Sequence, residues 1–96
     1  MTLKATVNQS AVISAENNFT DECSIRGDFT ISVTSPGLTV VTLQRSFDEG
    51  STWLDVESFT EQTETNAREL IAGMLYRLGV KTGDFNTTSV TVRLAK

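Results

Sequence analysis

Asp55 and Glu57 stand two residues apart in the run Trp53-Leu54-Asp55-Val56-Glu57. On an extended strand that spacing puts both carboxylates on one face. Two carboxylates on one face are the minimum for acid and base work on a single bond. The plainer reading is a solvated strand face, with Arg45 across a hairpin as charge partner. Nothing else completes a catalytic set. The chain has no histidine, and its one cysteine, Cys23, has no base to activate it. Cys23 reads as a buried or half-buried thiol that can form no internal disulfide. No zinc spacing, glycine-rich phosphate loop or nucleophile–histidine pair occurs. Asp48 with Glu49, and Asp84, offer hard oxygens for calcium but not the EF-hand spacing. Trp53, Tyr76 and Phe85 are the aromatics a carbohydrate site would use, and each is also explained as core or as a turn cap. These residues point to a chain that is not an enzyme and that uses no metal or cofactor.

The stretch that organises the rest is Ser46-Phe47-Asp48-Glu49-Gly50-Ser51-Thr52-Trp53. Strand-like runs flank it, so it reads as a hairpin loop. Asp48 is placed to accept hydrogen bonds from nearby backbone N–H groups. Gly50 takes a positive φ without steric cost. Thr52 supplies a hydroxyl, and Trp53 has a ring large enough to fold back over the loop. Ser46, Asp48, Gly50, Thr52 and Trp53 fill every fixed position of Ser-x-Asp-x-Gly-x-Thr-Trp, and the loop thereby resembles the Asp-box hairpins of sialidases and related propellers. In those proteins the box lies away from the chemistry, which implies a structural role here. One copy does not make a propeller.

The remaining elements follow from period-2 alternation. Residues 24 to 34 place Ile25, Phe29, Ile31 and Val33 on one face, with Gly27 marking a bulge or close approach. Ser35-Pro36-Gly37 is a turn. Residues 38 to 47 are apolar on both faces at one end, as in a strand covered on both sides. Residues 53 to 60 return. Residues 61 to 73 contain good helix formers and read as a long loop with one helical turn and a short strand at 69 to 71. The acidic side chains Glu61, Glu64 and Glu69 in that segment read as solvated. Residues 74 to 81 and 88 to 94 are strands, separated by a turn at 82 to 86. About six to eight short strands with regular turns predict an all-β fold, a small antiparallel β-sandwich or barrel.

Ninety-six residues make one domain. Residues 1 to 23 carry the weakest core pattern and read as an N-terminal arm or edge strands, with 24 to 96 as the sandwich. An arm of this kind would anchor on a partner through Leu3, Val7 and Ile13, since an unpaired strand edge invites another strand. The net charge of −4 disfavours nucleic acid and anionic membrane as partners. No apolar run is long enough to span a bilayer. The N-terminus lacks a signal-peptide core, so synthesis in a cytoplasm is expected.

Two further runs carry a second resemblance. Residues 40 to 56, Val-Val-Thr-Leu-Gln-Arg-Ser-Phe-Asp-Glu-Gly-Ser-Thr-Trp-Leu-Asp-Val, and the closing Leu-Tyr-Arg-Leu-Gly-Val-Lys-Thr-Gly-Asp-Phe with Ser-Val-Thr-Val-Arg-Leu resemble small β-sandwich virion proteins of tailed bacteriophages. The resemblance covers residues 25 to 95 and is poorest at 61 to 73. It implies a non-enzymatic structural protein that decorates or stabilises the capsid, or forms the base of a head fibre or spike. The implied partners are the major capsid protein or other virion proteins, with the chain as a homo-oligomer on the virion, made in the host cytoplasm. No catalytic residue is carried over. Glu49 stands where those proteins have a second glycine, and the loop is expected to tolerate it at negative φ. The alternative is a carbohydrate-binding module or a tail or vertex adaptor on a virion appendage.

Overall fold

The computed structural model describes residues 7–34 and 36–96. Nine strands and no helix occur among them. They are β1 (Asn8–Ile13), β2 (Asn18–Phe19), β3 (Cys23–Ser24), β4 (Gly27–Thr34), β5 (Val41–Ser46), β6 (Leu54–Phe59), β7 (Thr63–Glu69), β8 (Leu75–Val80) and β9 (Val90–Ala95). One sheet has the order β1-β9-β4-β7. The other has the order β2-β8-β5-β6, with β3 also on β8. Every pairing is antiparallel. The two sheets stack as a β-sandwich, a slab of 37 × 36 × 17 Å.

Alternation builds the core as expected. Phe29, Ile31 and Val33 of β4 meet Val90, Val92 and Leu94 of β9 within one sheet, and all six are buried. Val41 and Leu43 of β5 and Tyr76, Leu78 and Val80 of β8 close on them from the other sheet. The expected strand at 24 to 34 is two strands. β3 belongs to one sheet and β4 to the other, and the chain crosses between them over Ile25 to Gly27. Gly27 sits at φ +89° at that corner, a backbone state that a side chain disfavours.

Four expectations need correction. Of the two readings of residues 1 to 23, arm or edge strands, residues 7 to 13 take the second, as the edge strand of one sheet, and it is their anchoring on a partner that needs correction. β1 pairs with β9 along its whole length, Ile13 is fully buried in the core, and Val7 exchanges both backbone hydrogen bonds with Lys96. Burial inside the chain leaves Val7 and Ile13 with little to offer a partner, and Leu3 lies outside the described residues. The second correction is residues 61 to 73, which hold no helical turn. β7 runs seven residues against β4, from Gly27↔Glu69 to Val33↔Thr63. Long pairing with a central strand overrides the helix propensity of Ala67 and Arg68. Third, Glu69 is 3% exposed and not solvated. Fourth, Glu49 has φ +57°, the left-handed region and not the expected negative φ.

Candidate functional site

The hairpin loop is tied by two side chains. Ser46, buried at the end of β5, accepts from Asp48 N (3.3 Å) and Gly50 N (2.8 Å) through Oγ. Its own hydroxyl donates to Asp48 Oδ1 at 2.8 Å. The same Oδ1 accepts from Thr52 N at 2.8 Å. These donors, the Thr52 N–H first, hold the Asp48 carboxyl below its usual range. Gly50 takes φ +91°. Asp48 is engaged by its own loop, and among the described residues no group of three or more acidic or thiol side chains is placed to hold a metal ion.

Asp55 and Glu57 do not share a face. The ladder between β5 and β6 slips at Leu43/Gln44, so Glu57 pairs with the inward Leu43 and Asp55 with the outward Gln44. The extra residue is a β-bulge, and it separates the candidate acid from the candidate base. Arg45 takes neither as partner. Asp55 instead accepts from Lys81 Nζ at 2.6 Å and Gln44 Nε2 at 2.9 Å, which keeps its carboxyl below the usual range.

Arg45 points between the sheets. Its Nε and Nη2 donate to Glu69 Oε1 and Oε2 at 2.6 and 2.9 Å, a bidentate fork. Tyr76 Oη donates to Oε1 at 2.8 Å and Ile71 N to Oε2 at 3.1 Å. Desolvation pushes the Glu69 carboxyl up, but the Arg45, Ile71 and Tyr76 donors outweigh it and the carboxyl lies below its ordinary range. Burial first, then the Glu69 carboxylate, push Tyr76 up to about 12. Phe29 packs against the Tyr76 ring at 4.9 Å. This is a satisfied ion pair between layers and gives no sign of a reacting centre.

Around it lies a group of exposed apolar side chains. The Arg45 guanidinium lies over the Phe47 ring at 4.6 Å, and Leu54 is opposite Arg45 in the ladder. Val56, Leu70 and Ile71 line a hollow of about 420 Å³ with Arg45 and Glu69. Phe47, Leu54, Val56, Leu70 and Ile71 are each half or more exposed. They form one band along the β6 edge and the loop after β7.

A second cluster occupies the outer face of the β8–β5 sheet. Arg77 lies over the rings of Phe19 (4.1 Å) and Trp53 (4.3 Å), and its Nε donates to Gln44 Oε1 at 2.8 Å. Burial lowers its pKa, with Glu22 opposing. Gly79 makes the arrangement possible, since Asn18 O and Phe19 Cα stand where a Cβ on Gly79 would lie. Of the three aromatics considered for carbohydrate, Tyr76 is buried, Phe85 is half-buried against the core, and Trp53 is half-buried with Arg77 over its ring. Arg77, Phe19, Gln44 and Glu69 are not legible in the sequence as site residues. Arg77 and Gln44 sit at outward positions of ordinary strands, and no local pattern brings Phe19 or Glu69 to them.

Comparison with protein-family models, with curated proteins and with solved structures finds no match for this chain.

Proposed function

We propose that this chain is a non-enzymatic structural protein of a phage virion, holding the capsid surface through protein contacts. The observation that carries the reading is the band of Phe47, Leu54, Val56, Leu70 and Ile71. Contiguous exposed apolar surface of this kind marks an interaction site. It lies beside β6, which among the described residues is the edge of its sheet. The resemblance of residues 40 to 56 and of the closing strands to phage virion proteins supports the same reading. Burial of the band at shared capsid contacts stabilises the shell by mass action, because the assembled lattice binds it and dispersed subunits do not. The major capsid protein is the proposed partner, and the band replaces Val7 and Ile13 as the proposed contact.

The test uses Leu70→Asp and Ile71→Asp in particles that carry this protein. Both positions are exposed, so stability should change by no more than about 0.5 kcal/mol. Copies per particle should fall sharply in quantitative mass spectrometry. Unchanged occupancy with both variants overturns the reading. Wild-type occupancy of a few copies, not hundreds, moves the protein from capsid decoration to a tail or vertex.

A further inference from the structure

A hollow of about 380 Å³ opens on the outer face of the β8–β5 sheet, beside the Arg77 cluster. Gln44, Arg77 and Phe19 line it, together with Asn17, Lys81, Thr82 and Asp84. We propose that this hollow is a binding site for an acidic monosaccharide unit, with the Arg77 guanidinium taking the sugar carboxylate through both Nη groups.

Three features carry the proposal. The first is the state of Arg77. Its Nε is held by Gln44 and its plane by Phe19 and Trp53, yet neither Nη meets a hydrogen-bond partner among the described residues. A guanidinium fixed in orientation with its fork open is prepared for a planar, bidentate acceptor. Pre-ordering of this kind removes the entropy that a flexible side chain loses on binding. Second, the cations are sparse. Lys81 is already paired with Asp55 at 2.6 Å, and Asp84 also lines the hollow. Glu22 acts on Arg77 from the side of the Asp48 loop, with its carboxylate about 3.2 Å from where a Cβ on Gly50 would lie. Among the described residues here, Arg77 is the one cation without a short-range ion pair, and the carboxylates around it disfavour a doubly charged phosphate or a polyanion more than a single carboxylate. Third, the lining mixes functions. The Asn17 amide and Thr82 hydroxyl both donate and accept, and the Asp84 carboxylate only accepts. An all-acceptor anion leaves Asp84 facing like charge. A hydroxyl-bearing ring gives Asp84 and Asn17 donors to accept from.

The hollow is separate from the apolar band, so this inference does not depend on the virion reading. Its test is titration of the ¹⁵N-labelled protein with glucuronate and with N-acetylneuraminate, followed at the Arg77 Nε–H and the Trp53 indole N–H. Glucose, glutamate and inorganic phosphate are the comparison probes. The expected result is saturable movement of both signals with at least one acidic sugar, and weaker or no movement with the three comparison probes. Arg77→Lys, which keeps the charge and loses the fork, should weaken binding about tenfold or more. Silence of the Arg77 signal with both acidic sugars overturns the proposal. So does equal response to phosphate, glutamate or glucose. If Arg77→Lys does not fold, the wild-type titration alone decides.

Discussion

Thr42 is fully buried on β5, and its Oγ1 has no hydrogen-bond partner among the described residues. A buried hydroxyl left unpaired keeps its desolvation penalty. Thr42→Val preserves the branched shape and removes that group. It should raise stability by roughly 1 kcal/mol, read as a higher urea midpoint. A lower midpoint would show that Thr42 has a partner after all. Glu49 carries the opposite kind of strain. It holds φ +57° with a side chain attached. Glu49→Gly removes the steric cost of that conformation and adds some unfolded-state entropy, for a net gain of roughly 0.5–1 kcal/mol. An unchanged or lower midpoint counts against the left-handed assignment. Sequence pattern identifies this loop and the roles of Ser46, Asp48 and Gly50. It does not reveal the sign of φ at Glu49, because a residue type reports tolerance and not conformation.

At the level of elements, legibility follows alternation. β4, β8 and β9 each place large apolar side chains at every second position, so residue type alone marks their inward faces. β7 escapes because its inward positions are Thr63, Thr65, Ala67 and Glu69. Small and polar groups there suffice for a layer-edge strand, and the charged one is satisfied by Arg45 and Tyr76 across the gap together with the Ile71 N–H. β1 is half legible. Its alternation is visible in the sequence, but whether it closes on its own sheet or on a neighbour is a tertiary question. β1 carries a direct test. Deleting residues 2–13 removes Ile13, worth about 2–5 kcal/mol by comparison with core truncations, together with the β1–β9 ladder. The truncated chain should be unfolded or melt far lower by circular dichroism. A truncated chain with the wild-type melting curve would make β1 dispensable.

The molecule as a whole should lose stability at both ends of the pH scale, and the Arg45–Glu69–Tyr76 cluster is the reason. Glu69 has a depressed pKa in the folded state. The unfolded chain therefore binds more protons in acid, and the stabilisation present above the ordinary carboxylate range, ~4, is lost as pH falls through and below it. Tyr76 is pushed up to about 12. Its contribution is complete below the ordinary tyrosine value of ~10 and is lost as pH rises from there towards the folded value. The chain has one tyrosine, so near-ultraviolet tyrosinate absorbance reports this group alone. Ionisation of Tyr76 near the free-tyrosine value in a chain that is still folded would contradict the buried contact with Glu69. Glu69→Gln should flatten the acid limb while lowering the neutral-pH midpoint, as expected when one member of a paired charge is removed.

The bulge at Leu43/Gln44 separates Asp55 from Glu57, and an interrupted edge is also a poor template for polymerisation. β6 is a sheet edge, and such edges are the places where β-proteins template fibres. A strand arriving on β6 meets a backbone frame that shifts partway along, so no straight register satisfies its whole length. A second copy of β6 would also bring Asp55 and Glu57 against their own kind. On the proposed virion role, the protein must accumulate at high concentration before it reaches its lattice, and this edge keeps it from stacking on itself. The irregularity that dismantles an apparent active site works as a brake on aggregation.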